Sequence, residues 1–239
     1  MDNLLLKTLE LRDELSAAER AVVSDMIQTV HRVSARTDFV SEGDRATNSS
    51  LMLSGLSARY NVIGDGKRQI SAIHIPGDFV DLHSLLIEPM DHSVTALTDC
   101  NIALVPHNLL RELTRSEPHL MRMFWLLTVI DSAIFRQWLV AAARLPAEAQ
   151  LGRFFCEIHT RMNAVGLADG FSFDLPITQT DLGDAMGLSL VHVNKSLQKM
   201  RREGLLLWQG SRVDLLDWER LTAMAEFDPT YLNLERARR

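Results

Sequence analysis

The segment that most constrains the fold runs from Ile177 to Gly204 and has the residue pattern of two short helices joined by a tight turn. Thr178 is a favourable N-cap residue, and Asp181 follows three positions later, where an acid stabilises a helix start. Gly187 stands where the turn requires a positive φ, which glycine adopts without steric cost. Ser189 is then placed to cap the second helix.

This second helix, which we expect to reach about Glu203, has one apolar side. Val193, Leu197 and Met200 are spaced four and three apart and form its buried stripe, which leaves a polar and basic outer face. Such a helix fits the DNA major groove, whereas an ordinary pair of surface helices is the alternative. The outward positions are Leu190, Val191, Asn194, Lys195, Gln198, Lys199 and Arg202, with His192 at the edge of the stripe.

Two short strands are predicted directly after these helices. Leu205–Trp208 is an apolar run, Gln209–Ser211 is a turn, and Arg212–Leu216 returns as the second strand. A helix-turn-helix followed by a two-stranded wing is a winged-helix module, which favours DNA binding. Arg212, near the turn, is placed to contact a phosphate.

The net charge of −6 does not by itself favour a nucleic-acid partner. Positive charge is nevertheless concentrated in the second helix, where Lys195, Lys199, Arg201 and Arg202 occur within eight residues that contain no acid. Because affinity for DNA follows the phosphates that are neutralised, a local patch is sufficient.

The part of the chain before residue 106 predicts a small helical lead-in and a β-rich domain. Residues 4–33 have helical spacing, and Ser16 with Glu19 resembles a capping box. Residues 37–105 contain short apolar runs between turn signals, as in a β-roll, with a hairpin turn at residues 64–67. Neither a phosphate-binding glycine loop nor a Ser/His/Asp arrangement is present, so we predict no enzyme.

A helix of about 26 residues is predicted from Pro118 to Ala143. One apolar stripe steps by three and four like a coiled-coil seam, and a second includes Trp125 and Phe135. We therefore expect burial on two sides, against its own β-domain and against a second copy, whereas a core helix in a monomer is the alternative. The seam, our predicted dimer interface, is Leu120, Met123, Leu127, Ile130, Ile134, Gln137 and Ala141.

The predicted fold class is α+β: an N-terminal β-roll, like a jelly roll or double-stranded β-helix, a long dimerisation helix and a C-terminal winged helix-turn-helix. The predicted parts are residues 1–117, 118–145 and 146–239, with a disordered Arg-rich tail.

We expect a cytoplasmic protein without a membrane partner, because neither a signal peptide nor a spanning segment is evident. Cys100 and Cys156 are far apart and unlike metal ligands, so we expect two packed thiols and no metal.

The order of β-roll, long helix and winged helix resembles the CRP/FNR family of bacterial transcription regulators. Residues 76–79, PGDF, and residues 180–189, TDLGDAMGLS, are the strongest local matches, and the resemblance covers nearly the whole chain. It implies a homodimer on a two-fold symmetric DNA operator, with RNA polymerase and a small effector as further partners. The alternative is a ligand-binding regulatory subunit that acts through protein contacts.

The chain departs from the cyclic-nucleotide-binding members of that family. Those members hold the phosphate with a Glu shortly after the PGDF-like segment and with an Arg-Ser pair, whereas Leu82 and His92-Ser93 stand at these positions here. Because His lacks the bidentate contact of Arg, and Asp81 adds negative charge, we expect weak or no cyclic-AMP binding. Candidates for another effector pocket are His74, Asp81, Leu82, His83, Ser84, His92 and Ser93, and a vestigial, empty pocket is the alternative.

Two further cofactors of the family are also not expected. Oxygen-sensing members bind an iron–sulfur cluster through about four thiolates, but no cysteine precedes Cys100. Haem-sensing members supply a histidine, for which His74, His83, His92 and His107 are candidates; packing is the more common role of such residues.

Family members commonly read a G·C-rich step with a Glu and an Arg on the second helix. Val191 takes the Glu position and Lys195 the Arg position, so the resemblance implies a half-site shifted from the family consensus. We predict that His192, Asn194 and Lys195 read bases. Phosphate contacts are predicted for Thr178, Gln179, Ser189, Lys199, Arg202 and Arg212.

Overall fold

The computed structural model describes residues 3–238, which divide into two compact units. The N-terminal unit contains residues 3–61, 71–131 and 234–238, and the C-terminal unit contains residues 62–70 and 132–233. The hairpin tip at residues 62–70 therefore belongs to the C-terminal unit, although the strands that lead to it belong to the β-roll.

The N-terminal unit begins with helices α1 (Leu4–Glu10) and α2 (Ala17–Asp25). The predicted capping box is confirmed, because Ser16 Oγ accepts from the Glu19 N–H at 3.2 Å and the Glu19 carboxylate accepts from the Ser16 N–H at 2.8 Å. The prediction of helix up to residue 33 is wrong, since Val30–Val33 form strand β1. Strand pairing with Cys100–Ala103 decides the conformation of these four residues.

Six further strands complete the predicted β-roll. Together with β1 they form two sheets with the strand orders β1-β7-β3 and β2-β6-β4-β5. One apolar cluster, which includes Met52, Val94 and Ile102, fills the roll, and another packs the first helices on its outside. The strands are β2 (Asp38–Val40), β3 (Asn48–Ser54), β4 (Ser57–Val62), β5 (Arg68–His74), β6 (Ser93–Ala96) and β7 (Cys100–Pro106).

Helix α3 (His107–Ser116) was not predicted, and helix α4 (Pro118–Arg144) lies close to the predicted 118–143. Within the described residues 3–238, α4 is the one helix long and apolar enough to cross a membrane. Its composition has another explanation, since a helix that packs on two sides is apolar on both.

The structure buries most of the predicted dimer seam of α4 within the chain itself, so the seam as an interface stays a prediction. Five of its seven residues are at most 7% exposed and so leave little surface for a partner: Leu120, Met123, Ile130, Ile134 and Ala141. Leu127 and Gln137 are half-buried. Periodicity identified two apolar sides but not which one faces inward. The large apolar side chains that α4 leaves exposed are Trp125, Val129, Phe135, Leu139 and Val140.

The C-terminal unit has the predicted winged-helix order. Its sheet has the strand order β10-β11-β9-β8, so β9 lies between β11 and β8 inside the sheet. The elements are α5 (Ala147–Ala164), β8 (Ala168–Asp169), β9 (Ser172–Asp174), α6 (Gln179–Met186), α7 (Leu190–Arg202), β10 (Leu206–Gln209), β11 (Arg212–Leu215) and α8 (Trp218–Met224).

A buried carboxylate joins three elements of this unit. Glu157 is fully buried and accepts hydrogen bonds from Trp138 Nε1 at 3.0 Å and Tyr231 Oη at 2.8 Å. Burial raises the pKa of Glu157, while its ion pair with Arg161 opposes the rise. The end of α4 is thereby fixed to α5 and to the short 3-10 helix Pro229–Leu232.

The Arg-rich tail, predicted to be disordered, is instead attached to the N-terminal unit. The Ala237 N–H donates to the Arg12 carbonyl at 2.9 Å. The prediction is therefore wrong for residues up to 238, and its last residue, Arg239, lies outside the described residues.

Candidate DNA-binding interface

Three local features predicted from the sequence build the helix-turn-helix. Thr178 Oγ1 accepts from the Asp181 N–H at 3.1 Å, and Asp181 Oδ2 accepts from the Thr178 N–H at 2.9 Å. Gly187 ends α6 with a φ of 66°, and Ser189 Oγ accepts from the His192 N–H at 3.3 Å. All four residues therefore act as predicted.

A second glycine permits the close approach of the two helices. A Cβ on Gly183 would lie 2.7 Å from the Leu188 carbonyl oxygen, and the Gly183 carbonyl accepts from the Leu188 N–H at 2.9 Å. Only a residue without a side chain fits there. The sequence pattern did not single out Gly183, because a glycine inside a helix has no local signature of such a contact.

Helix α7 presents the predicted faces. Val193 and Met200 are fully buried, Leu197 is half-buried, and Ser196 is buried beside them. The predicted outer residues are all exposed, including apolar Val191, which is 75% exposed. They are Leu190, Val191, His192, Asn194, Lys195, Gln198, Lys199 and Arg202.

A chain of amide hydrogen bonds organises the outer face. Gln198 Nε2 donates to Asn194 Oδ1 at 3.1 Å, and Asn194 Nδ2 donates to Gln179 Oε1 at 2.8 Å. His192 Nδ1 lies 3.1 Å from Ser189 Oγ. Lys195 has neither a hydrogen bond nor an ion pair of its side chain with another residue in the range 3–238, so its ammonium group is available to a ligand.

Two of the basic residues predicted to contact phosphate form ion pairs within the chain. Lys199 Nζ lies 3.5 Å from Glu148 Oε1, and Arg212 Nε donates to Asp214 Oδ1 at 2.9 Å. Both basic side chains are about half exposed, and ion pairs of this kind contribute about 0–1 kcal/mol. A phosphate can replace such a carboxylate at little cost.

Arg68, which the sequence did not single out, binds the start of α6. Its guanidinium group donates to Asp181 Oδ1 at 2.7 Å and to Asp184 Oδ2 at 2.9 Å. Asp181 is 1% exposed, so the carboxylate that caps α6 is buried and neutralised by this cation. Two acids so close together in one short helix indicate that a cation lies nearby.

In the N-terminal unit, two candidate effector residues have structural roles. Asp81 accepts from the Ser50 N–H at 2.5 Å, and burial raises the Asp81 pKa to about 7. Ser84 Oγ lies 3.1 Å from His107 Nε2, which also contacts Ser49 Oγ at 3.2 Å. Asp81, Ser84 and His107 therefore hold the segment after PGDF against β3 and α3.

Two other candidates come together. The rings of His83 and His92 lie 5.2 Å apart, and the charge of Arg59, a residue not predicted, acts on both. Arg59 donates to Asp131 Oδ2 and to the Val80 carbonyl, each at 2.8 Å. Of the remaining candidates, Leu82 is half-buried, His74 is buried at the end of β5, and Ser93 Oγ accepts from the Glu42 N–H at 3.0 Å.

The two cysteines are packed as predicted. Cys100 and Cys156 are both buried thiols, one in each unit. Burial raises the pKa of both and brings that of Cys156 to about 12, so neither is a reactive thiolate at neutral pH.

Comparison with known protein families matches both halves of the chain. Residues 30–117 match the cyclic nucleotide-binding domain, and residues 149–224 match the Crp-like helix-turn-helix domain. The first match covers the β-roll with α3, and the second begins in α5 and ends with α8.

Curated relatives and a solved structure agree with these matches. The chain is 27% identical to the nitrogen fixation regulation protein FixK of Bradyrhizobium diazoefficiens, over 92% of this chain and 91% of that protein. It is 24% identical to the transcriptional activator protein FnrL of Cereibacter sphaeroides, over 88% of this chain and 86% of that protein. The structure of FixK2 from Bradyrhizobium japonicum superimposes with a TM-score of 0.73 at 24% identity, over 82% of this chain and 96% of that one.

Proposed function

Because the chain belongs to the CRP/FNR family of transcription regulators, we propose that it binds a two-fold symmetric operator as a homodimer and reads each half-site with α7. The observation that carries this proposal is the outer face of α7, which is exposed, polar and basic while the opposite side is packed. In a dimer of this kind, the two recognition helices lie about 34 Å apart, one turn of the duplex.

The proposed half-site differs from the family consensus. Lys195 donates to guanine O6 or N7 as a point charge, and Val191 packs on a thymine methyl group because it cannot accept from cytosine. Asn194 exchanges its hydrogen bonds with Gln179 and Gln198 for the edge of an adenine. His192 completes the set of base-reading residues.

The surrounding residues supply affinity without sequence information. Thr178 and Ser189 stand at helix N-termini, where backbone N–H groups favour a phosphate. Arg212 extends from the wing. With Gln179, Lys199 and Arg202, these side chains and the helix N-termini fix the register of the protein on the duplex.

We further propose a cytoplasmic protein that acts through RNA polymerase and responds to a small effector other than cyclic AMP. The charge around His83 and His92 supports an effector other than cyclic AMP. Arg59 is neutralised by Asp131, so it is not available to a cyclic phosphate as an unpaired cation. We propose no iron–sulfur cluster, because no cysteine precedes Cys100, and no haem at His107, which is held between two serines.

Selection of binding sites from random DNA tests the proposal. Wild-type protein should enrich a palindrome whose half-sites differ from the common family half-site, and the Lys195→Ala variant should enrich a degenerate one. Emergence of the unchanged family half-site would overturn the assignment of base-reading residues. A failed gel shift at low salt with genomic fragments would instead support a regulatory subunit that acts through protein contacts.

A further inference from the structure

His83, Asp91 and His92 form a compact cluster in the N-terminal unit. One potential ligand atom from each residue lies within 4.8 Å of the other two. His83 belongs to the short 3-10 helix Leu82–Leu85, and the other two residues directly precede β6. The fold brings them together although their spacing along the chain matches no metal-binding motif.

One imidazole of the cluster has a ring nitrogen without a hydrogen-bond partner in the described part of the chain. His92 Nδ1 lies 2.7 Å from Asp91 Oδ1, whereas its buried Nε2 has no hydrogen-bond partner among residues 3–238. This ring therefore has unused bonding capacity inside the protein.

Carboxylates stand beside the one cation near the cluster. The charged groups that act on the two histidines are Arg59, Asp91 and Asp131. Arg59 and Asp131 form an ion pair at 2.8 Å, so Asp131 offsets the repulsion that Arg59 exerts on a cation, and the Asp91 carboxylate supplies a negatively charged ligand.

We propose that His83, Asp91 and His92 bind a divalent first-row transition-metal ion, of the class that includes Fe²⁺, Co²⁺, Ni²⁺ and Zn²⁺. Two nitrogens and one carboxylate suit these ions, whereas Mg²⁺ and Ca²⁺ prefer oxygen ligands alone. Ligands of one ion at about 2.1 Å lie at most about 4.2 Å apart, so the donors must approach slightly. The Asp91 side chain is 79% exposed and rotates without displacing a packed neighbour.

Titration of the full-length, untagged protein with Co²⁺ tests this site. Visible absorption bands and equilibrium dialysis should report one ion per chain, with Mg²⁺ unable to compete. His83→Gln and His92→Gln should each weaken binding at least about tenfold, and Asp91→Asn should weaken it less. His31→Gln is the matched control, because His31 is an exposed histidine on β1.

A readout on the wild type avoids variants that fold poorly. The chain has eight histidines, and addition of Zn²⁺ should shift the imidazole NMR signals of two of them. Absence of Co²⁺ binding, binding that the His83 and His92 variants leave intact, or shifts spread over the other histidines would overturn the proposal. DNA binding is not used as a readout, so this test and that of the proposed function fail independently.

Discussion

Arg68 donates to Asp181 at 2.7 Å, and Asp181 in turn caps helix α6 through Thr178. A cation from the hairpin at residues 62–70 therefore neutralises the buried carboxylate that begins the helix-turn-helix. We expect Arg68→Ala to lower the free energy of unfolding by about 1–3 kcal/mol, because it leaves Asp181 buried and without its cation.

Urea unfolding followed by circular dichroism measures this loss. Asp184→Asn is the control, since Asp184 is more exposed than Asp181 and its removal keeps the Arg68–Asp181 pair. If the two variants lose the same free energy of unfolding, the buried Arg68–Asp181 pair does not contribute more than the exposed one.

Lys195 and Arg212 should contribute to DNA binding in different ways. Lys195→Ala removes a base contact, so it should cost about 1–3 kcal/mol on the selected operator and relax specificity at one position. Arg212→Ala removes a phosphate contact, so it should weaken binding to all sequences alike and reduce the salt dependence by about one ion. Fluorescence anisotropy at several salt concentrations separates the effects, and identical behaviour of the two variants would refute the assigned roles.

The exposed apolar face of α4 should hold the dimer. Leu139 is 60% exposed on this face, and a charge there would be desolvated in the interface. Leu139→Glu should therefore shift the protein to monomer in light scattering. Leu216→Glu is the matched control, because Leu216 is 54% exposed but lies after the wing. A variant at Leu139 that remains dimeric at the same concentration would place the interface elsewhere.

Stability should depend on pH through His119, whose nitrogens lie 2.6 Å from Glu19 and 3.1 Å from Asp13. Burial lowers the pKa of His119, but the two carboxylates outweigh it and raise the pKa above 6.5. The charged histidine therefore stabilises the fold fully below pH 6.5, and this contribution is lost as the pH rises through the raised pKa.

His119→Gln should consequently be less stable than the wild type at about pH 5.5, and the difference should shrink towards about pH 9. Urea titrations at the two pH values measure the difference. A gap that stays constant or widens with pH would contradict a charged His119.

Local chemistry explains why the helix-turn-helix was predictable. The caps at Thr178 and Ser189 and the turn at Gly187 depend on neighbours in the chain, so their residue types predict the helix boundaries. Helix α4 was harder, because both of its stripes repeat every three to four residues and periodicity alone does not distinguish the core from an interface. Packing in the folded chain determines which stripe of α4 is buried.

The residues that sequence reasoning missed depend on long-range contacts. Arg68 reaches acids more than 110 positions away, and Arg59 meets Asp131 across 72 positions. Residues 30–33 continued a helical pattern, yet pairing with β7 made them a strand. Partners so distant in the chain cannot be predicted from local propensity or from residue spacing.

Hydroxyl-radical footprinting of the wild type on a selected operator tests the central claim most directly, namely that two copies present α7 to successive major grooves on one face of the duplex. We predict two equivalent protected segments related by a two-fold axis and separated by about one helical turn, 10 bp. A single protected segment, or uniform protection along the fragment, would contradict it.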